Sequence, residues 1–293
     1  MTDSDQPTVP VEVLASYDLL PEQGWRIRHV RTLHNSVFSV SHRSAAEPAW
    51  ALRRHGPGWR SAGEIRAELA MLEFLDQRLP DPITVPRPGR TSNRALVVEA
   101  DGSLYSLLGW ISGAPARPDT GLDTDAVKLL GRGLGALHTA LDQWPASAPR
   151  WDGESLLSDS SPGLMGKDSA ALRVVLDPAD LALFAEVADR TREVFARSTD
   201  WGLIHGDYIL GNCHWSSVAG RRHLGILDFD DFGFGPRPYD LGAALGNLAD
   251  FHQTWPDHAA AFVAGYRTEH ELPNDLVAAL PIMMAARHAS MCL

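Results

Sequence analysis

Two short segments combine imidazole, carboxylate and amide side chains at spacings that suit metal-dependent phosphate chemistry. The first, HGDYILGN, contains His205, Asp207 and Asn212, and the second, DFDD, begins at Asp228. Both segments lie among apolar residues, where a carboxylate is costly to bury without a cation or a hydrogen-bond partner. We therefore interpret the two segments as a magnesium–phosphate site.

The residues around each segment predict how these side chains are held. HGDYILGN contains two glycines and precedes CHW, a pattern typical of a tight loop that leads into a strand. The sequence LGILDF predicts a buried strand that ends at Asp228. Asn212 and Asp228 would then offer hard oxygen ligands to Mg²⁺, while Asp207 would accept a proton from an attacking hydroxyl group.

The remaining sequence predicts an α+β fold with a strand-rich first third. Strand patterns predict a hairpin over 26–41, a third strand over 49–54, and two strands over 94–100 and 104–111. Helical periodicity predicts helices over 62–78, 125–143, 177–198 and 238–266, and from 273 to the end. Proline-rich residues at 80–88 and 115–118 are interpreted as connectors, and 144–161 as a loop. We expect two lobes, 1–108 and 119–293, joined by a hinge at 109–118.

Composition and charge argue against several classes of protein. The 293 residues are 44% hydrophobic and 22% charged, as in ordinary globular proteins, and the net charge of −11 argues against general nucleic-acid binding. Cys213 and Cys292 form no zinc-type pair or disulfide framework, which suits a reducing cytosol. The N-terminus lacks the features of a signal peptide, and the longest apolar run, 276–286, is too short to span a membrane.

Three histidines raise the alternative of a metal hydrolase. His205, His214 and His223 recur at nine-residue steps, which fit neither one helix face nor a known zinc ligand pair. The phosphate interpretation is therefore preferred.

The two segments together resemble the catalytic core of the aminoglycoside-phosphotransferase and choline-kinase superfamily, relatives of the protein kinases. The offset from Asp207 to Asn212 is similar to the kinase pattern H-R-D-x-x-x-x-N, with glycine in place of arginine. The resemblance implies that Asp207 is the catalytic base and that His205 braces its loop. It also implies that Asn212 and Asp228 hold magnesium. Asp230 is either a further metal ligand or a carboxylate behind the ligands, and Asp240 would hydrogen-bond the catalytic loop.

The resemblance extends more weakly over residues 26–262 and implies a protein-kinase-like fold. That fold has a small antiparallel-sheet N-lobe with one helix and a larger, mainly helical C-lobe. Arg53, or Arg54, stands at the phosphate-contacting position, and Glu68 would pair with it. The remaining implied nucleotide contacts are Ser36 in the first hairpin, and Trp110 and Ile111 in the hinge. The hairpin tip lacks a glycine, and the chain ends earlier than is usual in the family.

The implied function is transfer of the γ-phosphate of ATP, with Mg²⁺, to a hydroxyl group of a small aminoglycoside-, choline- or homoserine-like molecule. DFDD followed by GPRPYDL resembles the bacterial group that includes the stress-response kinase and type II homoserine kinase. A protein serine/threonine kinase and a non-catalytic nucleotide-binding pseudokinase are the alternatives. A monomer and a homodimer both remain open, the latter completing the acceptor pocket.

The acceptor pocket is expected in the helical parts at 144–168 and 247–293, where acidic residues permit a cationic acceptor. These residues are Asp152, Glu154, Asp159, Asp250, Asp257, Glu269 and Glu271.

Overall fold

The computed structural model describes residues 8–117, 121–145, 176–251 and 255–292. These residues form two compact units. The first comprises the described residues up to Arg78 together with Val85–Ser112, and the second comprises Leu79–Thr84 together with the described residues from Gly113 onward. In these ranges no helix is both long enough and apolar enough to cross a membrane.

The described helices and strands are numbered in chain order. The helices are α1 (Val11–Ser16), α2 (Ala62–Asp76), α3 (Thr124–Leu141), α4 (Pro178–Arg197), α5 (Pro238–Phe251), α6 (Trp255–Tyr266) and α7 (Asn274–Cys292). The strands are β1 (Trp25–Thr32), β2 (Ser36–His42), β3 (Trp50–Arg54), β4 (Ile83–Thr84), β5 (Pro88–Gly89), β6 (Val97–Ala100), β7 (Ser103–Gly109), β8 (Ala114–Pro115), β9 (Trp201–Ile204), β10 (Cys213–Val218), β11 (Arg221–Ile226) and β12 (Gly233–Pro236).

The first unit is built on an antiparallel sheet with the strand order β1-β2-β3-β7-β5, and β6 also pairs with β7. The predicted hairpin and third strand are confirmed, whereas the strand predicted over 104–111 ends at Gly109. Buried side chains of α1 pack with those of the sheet, among them Val13, Phe38 and Leu52. Burial of this apolar face holds the sheet in place.

Helix α2 begins with a capping box that the sequence SAGE encodes. The Ser61 hydroxyl accepts a hydrogen bond from the Glu64 amide, and the Glu64 carboxylate accepts one from the Ser61 amide. The predicted apolar face is confirmed, since each of its leucines and its isoleucine is at most 1% exposed. Those residues are Ile65, Leu69, Leu72 and Leu75. This packing fixes the direction of Glu68, which lies on the same helix.

The second unit contains more strand than its sequence predicted. One sheet has the order β4-β11-β10-β8, and β12 pairs with β9. Residues 80–88 and 115–118 are therefore not plain connectors, since β4 pairs with β11 and β8 with β10. A two-residue strand is too short to show an alternating pattern, and only a neighbouring strand reveals it.

The helices of the second unit begin and end close to the predicted positions. Helices α3 and α4 match the predictions over 125–143 and 177–198, and the predicted segment 238–266 contains two helices, α5 and α6. The loop predicted over 144–161 lies almost wholly outside the described residues. Helix α7 contains the apolar run that was predicted as a core helix, and Met283 and Ala286 are fully buried.

The glycines of GRGLGALH allow α3 to touch α6 through the backbone. A β-carbon added at Gly131 would lie 1.9 Å from the carbonyl oxygen of Phe262, and one added at Gly265 would lie 2.0 Å from that of Lys128. Real β-carbons do not approach carbonyl oxygens so closely, so the two helices can pack at this distance only with glycine at these points.

We expect Gly131→Ala to lower the free energy of unfolding by about 2 kcal/mol, because separating the two backbones costs more than the roughly 1 kcal/mol that alanine gains in helix propensity. Gly63→Ala is the matched control in α2, where the nearest atom to an added β-carbon is 3.8 Å away. Urea denaturation of both variants tests this expectation. A Gly131→Ala variant as stable as the Gly63→Ala variant would contradict the close packing.

Candidate active site

A β-hairpin brings Asn212 and Asp228 to the same end of one sheet. Cys213 of β10 pairs with Ile226 of β11, and the Leu227 amide donates a hydrogen bond to the Asn212 carbonyl oxygen at 2.8 Å. Asn212 immediately precedes the pair, and Asp228 follows it by two residues. Asp228 has φ +62°, a left-handed conformation that aspartate tolerates better than most residues.

The side chains of Asp207 and Asn212 are in direct contact. Asn212 Nδ2 donates hydrogen bonds to Asp207 Oδ2 at 2.8 Å and to the Asp207 carbonyl oxygen at 3.0 Å. Both bonds use the amide nitrogen, so the amide oxygen of Asn212 is the atom that a cation would bind. The HGDYILGN loop and the end of the hairpin therefore meet at one place.

These groups fit magnesium. Asn212 and Asp228 carry hard oxygen atoms, and Mg²⁺ takes one or two protein carboxylates together with waters and substrate phosphates. Among the described residues no group of three or more His, Cys, Asp or Glu side chains is arranged to hold a metal ion.

His205 connects the loop to the hairpin end. Its Nδ1 accepts a hydrogen bond from the Asp207 amide at 3.3 Å, and its Nε2 lies 3.0 Å from the Leu227 carbonyl oxygen. Because Nδ1 accepts a hydrogen bond, Nε2 must carry the proton of the neutral ring, and the Nε2–H group donates a hydrogen bond to that oxygen. The ring is buried and packs at 4.4 Å from the Phe229 ring. His205 is therefore bonded both to Asp207 and to Leu227, the residue directly before Asp228.

Asp230 lies in the short 3₁₀ turn Phe229–Asp231 that follows Asp228. Its side chain is half-buried, whereas Phe229 is 1% exposed and anchors the turn. Asp230 thus lies two residues after Asp228 along the chain, and its role as a metal ligand stays a prediction.

Asp240 of α5 holds the loop through its backbone. Its carboxylate accepts hydrogen bonds from the amides of His205 at 2.6 Å and Gly206 at 2.8 Å, and from His138 Nε2 at 3.0 Å. The side chain is fully buried. Burial raises the pKa of this carboxyl, but the hydrogen bond from His138 and the neighbouring donors outweigh it and leave the pKa lowered.

A buried chain of polar groups supports Asp240 from two further helices. His138 of α3 shares a hydrogen bond of 2.8 Å between its Nδ1 and the Tyr266 hydroxyl of α6. Burial lowers the pKa of His138, which favours the neutral ring. Its Nε2–H group donates the hydrogen bond that Asp240 accepts. The position of the loop thus depends on the packing of three helices.

Arg287 of α7 contacts the predicted catalytic base. Its Nη2 forms a charged hydrogen bond with Asp207 Oδ1, and the two side chains are 16% and 21% exposed. Burial raises the pKa of Asp207, while the Arg287 guanidinium acts in the opposite direction. The sequence analysis did not identify Arg287. The available signal was a lone arginine in the apolar run LPIMMAARHASM, since a cation in a core helix requires an anion.

In the first unit Arg53, rather than Arg54, meets Glu68. Arg53 Nη1 lies 3.0 Å from Glu68 Oε1, whereas Arg54 bonds Ser103 at 3.1 Å. A second guanidinium, from Arg60, bonds the other oxygen of Glu68, and both of these side chains are at most 1% exposed. No pattern in the sequence pointed to Arg60 as a partner of Glu68. The two arginines and one glutamate leave a net positive charge, which suits an anionic ligand.

Side chains fix the glycine-free hairpin tip in the first unit. The His34 and Trp59 rings stack at 3.9 Å, and Asn35 Oδ1 accepts a hydrogen bond from the Gly56 amide at 3.2 Å. The predicted nucleotide contact Ser36 shares a hydrogen bond of 2.9 Å with the Thr32 hydroxyl. These contacts hold the hairpin turn in one conformation, whereas a glycine-rich turn would have more conformational freedom.

The predicted hinge contacts lie directly after β7. The Trp110 amide donates a hydrogen bond to the Ala49 carbonyl oxygen at 3.0 Å, which continues the pairing of β7 with β3. Trp110 and Ile111 are both half-buried. Their roles toward a nucleotide stay a prediction.

Comparison with known proteins identifies the family and the fold. A family model described as "Phosphotransferase enzyme family" matches residues 26–275. The solved structure of an amicoumacin kinase with AMP-PNP and Ca²⁺ has a TM-score of 0.74 and 19% identity, covering 96% of this chain and 83% of its own. That of a microcompartment-associated aminopropanol kinase has a TM-score of 0.69 and 25% identity, covering 96% and 86%. These matches confirm the predicted α+β, protein-kinase-like fold.

A curated relative is similar over most of the sequence. An uncharacterized protein of Deinococcus radiodurans is 29% identical over 275 residues, which are 87% of this chain and 73% of the relative. The similarity thus extends beyond the two segments that carry the resemblance.

Proposed function

The chain belongs to the phosphotransferase enzyme family, and from that premise we propose that it transfers the γ-phosphate of ATP, with magnesium, to a hydroxyl group of a small molecule. The observation that carries the proposal is the meeting of Asp207, Asn212 and Asp228 at the hairpin end. One candidate base close to two candidate metal ligands supports the proposal, because a kinase reaction requires at least these groups.

Asp207 is proposed as the residue that orients the acceptor hydroxyl group and accepts its proton. Its carboxylate lies in a buried environment, which favours a base over a solvated surface charge. His205 and Asp240 act through the loop, and we propose them as positioning residues. Little covalent work falls to the protein, so positioning accounts for much of the rate.

Asn212 and Asp228 are proposed to hold the magnesium ion, with Asp230 as a further candidate. When bound, magnesium would supply positive charge that offsets the charge of the phosphate groups. His205 bonds the Leu227 carbonyl oxygen, and Asp240, supported by His138, bonds the His205 and Gly206 amides, so the loop and the hairpin end are held together.

Arg53 is proposed to contact ATP phosphates. Glu68 fixes its guanidinium, and Arg60 neutralises Glu68 from the other side. Arg53 is 11% exposed, whereas Arg60 is fully buried, so Arg53 is the cation that a phosphate could reach. Bidentate hydrogen bonding makes a guanidinium well suited to phosphate oxygens.

Two similarities support a small-molecule acceptor over a protein substrate. The 25%-identical neighbour is an aminopropanol kinase, named for a small alcohol, and the other neighbour is an amicoumacin kinase whose structure contains Ami beside the nucleotide analogue. Neither observation identifies the acceptor of this chain. We propose that the phosphate donor is ATP, by analogy with the AMP-PNP in the amicoumacin kinase structure.

The proposal is tested by ADP release from Mg-ATP across hydroxylated acceptors: aminoglycosides, choline, homoserine, hydroxy acids, simple sugars and a basic protein. Acceptor-dependent release from a small molecule supports it. Release with only the basic protein would show a protein kinase, and magnesium-dependent ATP binding without release would favour the pseudokinase alternative. Absence of ATP binding would refute the proposed function.

We expect Asp228→Asn to weaken ATP binding at least about tenfold in the presence of magnesium, because an amide offers the ion one neutral oxygen instead of a carboxylate. Binding without magnesium should change little. Asp250→Asn is the matched control, since Asp250 is 50% exposed and pairs with His288. Calorimetry with Mg²⁺ and with EDTA distinguishes the two. Equal ATP affinity of the Asp228 variant and the wild type would count against the metal role.

A further inference from the structure

Each oxygen of the proposed base accepts a hydrogen bond from a protein side chain. Asp207 Oδ2 accepts one from Asn212 Nδ2, and Asp207 Oδ1 accepts one from Arg287. A carboxylate oxygen can accept a second hydrogen bond, and an acceptor hydroxyl group must come within about 2.6–3.2 Å of it to deliver its proton. The Oδ2 side faces the proposed metal ligand Asn212, so a hydroxyl group that binds Oδ1 lies beside Arg287.

Neighbouring side chains on α5 and α7 hold Arg287 in place. The Tyr239 side chain, which is 2% exposed, interacts with that of Arg287, and the Ser290 hydroxyl donates to the Arg287 carbonyl oxygen at 2.8 Å. Ser290 also lies 3.4 Å from the Tyr239 hydroxyl. The guanidinium therefore stays beside Asp207 when an acceptor enters, and its charge acts on whatever group the acceptor presents there.

From this contact we infer that the acceptor carries a carboxylate close to its hydroxyl group and that Arg287 binds that carboxylate. The inference rests on the proposed function. A guanidinium binds a carboxylate with two parallel hydrogen bonds, and it repels an ammonium group at the same place. The acceptor class is thus a small hydroxy acid, which includes amino acids with a hydroxyl group.

The acceptor carboxylate and hydroxyl group can bind side by side. When the carboxylate binds Arg287, the hydroxyl group donates a hydrogen bond to Asp207 Oδ1, which can accept more than one. The hydroxyl oxygen then forms a bond to the γ-phosphorus, the bond from that phosphorus to the β,γ-bridging oxygen breaks, ADP leaves, and the hydroxyl proton passes to Asp207.

The acidic residues that permitted a cationic acceptor do not oppose this inference. Asp250 pairs with His288 at 3.1 Å, and Glu269 pairs with Arg132 at 2.7 Å. Asp257 and Glu271 are exposed. Asp152, Glu154 and Asp159 lie outside the described residues. Asp231 is the further carboxylate that acts on both Asp207 and Arg287, and it adjoins the proposed metal ligands, where a bound cation would offset its charge.

The test compares acceptors that share a carbon skeleton but differ in charge. Lactate is paired with 1-amino-2-propanol, and glycerate with 3-amino-1,2-propanediol; serine and homoserine carry both charges. For the wild type we expect kcat/KM at least tenfold higher for the hydroxy acid of each pair. Arg287→Gln should abolish the preference, Arg287→Glu should reverse it, and Arg287→Lys should retain part of it. Arg192→Glu, on the exposed face of α4, should leave it unchanged.

Mg-ATP binding and thermal unfolding of each variant show that the protein is folded and the nucleotide site intact. Arg287→Lys keeps the positive charge and most of the side-chain length, so it remains informative if the other two variants unfold. A wild type that prefers the amino alcohols, or an Arg287→Gln variant with an unchanged preference, overturns the inference. So does a wild type that binds Mg-ATP but neither phosphorylates nor binds any hydroxy acid. A wild type that does not bind Mg-ATP overturns the proposed function instead.

Discussion

Asp207→Asn is expected to lower kcat by about 10²–10⁴-fold, the usual contribution of a general base. The amide has almost the same shape as the carboxylate but cannot accept the hydroxyl proton. Because Asn212 and Asp228 are unchanged, the dissociation constant of Mg-ATP should stay within about threefold of the wild-type value, a difference of roughly 0.6 kcal/mol. Single-turnover kinetics and calorimetry measure the two quantities separately.

The division of roles at the site depends on that separation. Asp189→Asn carries the same chemical change on an exposed side chain of α4, where Asp189 pairs with Arg192, and should leave both quantities at wild-type values. If Asp207→Asn lost ATP binding and turnover to the same extent, Asp207 would act in metal or nucleotide binding rather than as the base. A variant with full turnover would remove Asp207 from the mechanism.

Asp240→Asn is expected to lower the free energy of unfolding by about 3 kcal/mol and kcat by about 10²-fold. The carboxylate accepts hydrogen bonds from two backbone amides and from His138 Nε2, and it is fully buried. The asparagine amide has one acceptor oxygen, so its NH₂ group would face an N–H donor and leave buried donors without partners. The loop that carries Asp207 would then shift.

Urea denaturation and steady-state kinetics test both parts of this expectation. Asp250→Asn is again the matched control, because Asp250 also pairs with a histidine but at the surface, where such pairs contribute about 1 kcal/mol or less. Loss of stability with unchanged kcat would mean that Asp240 supports the fold but not the loop geometry. A variant as stable as the control would contradict the buried network.

Residues that are close in sequence could be assigned to the site from the sequence. The offset from Asp207 to Asn212 and the strand before Asp228 are local features, since a short hairpin fixes which residues face each other across it. The helical periodicity of apolar residues likewise predicted α2, the helix that carries Glu68. Residue type and spacing are sufficient where chain connectivity alone restricts the geometry.

Residues that are distant in sequence were assigned only when the structure was known. Arg287 and Asp207 are separated by 80 positions, and His138 and Asp240 by 102. Their contacts depend on how α3, α5, α6 and α7 pack, which follows from the combined shape of many side chains and from glycines such as Gly131. The short strands β4 and β8 belong to the same class, because each exists only through its partner strand.

The sequence by itself therefore determined the family, the α+β class and the local arrangement of the proposed base and metal ligands, because spacing along a loop and a hairpin is encoded residue by residue. The tertiary structure decided which cation faces Asp207 and what holds its loop. Those contacts join helices far apart along the chain, and their partners are selected by packing and by the need to compensate each buried charge.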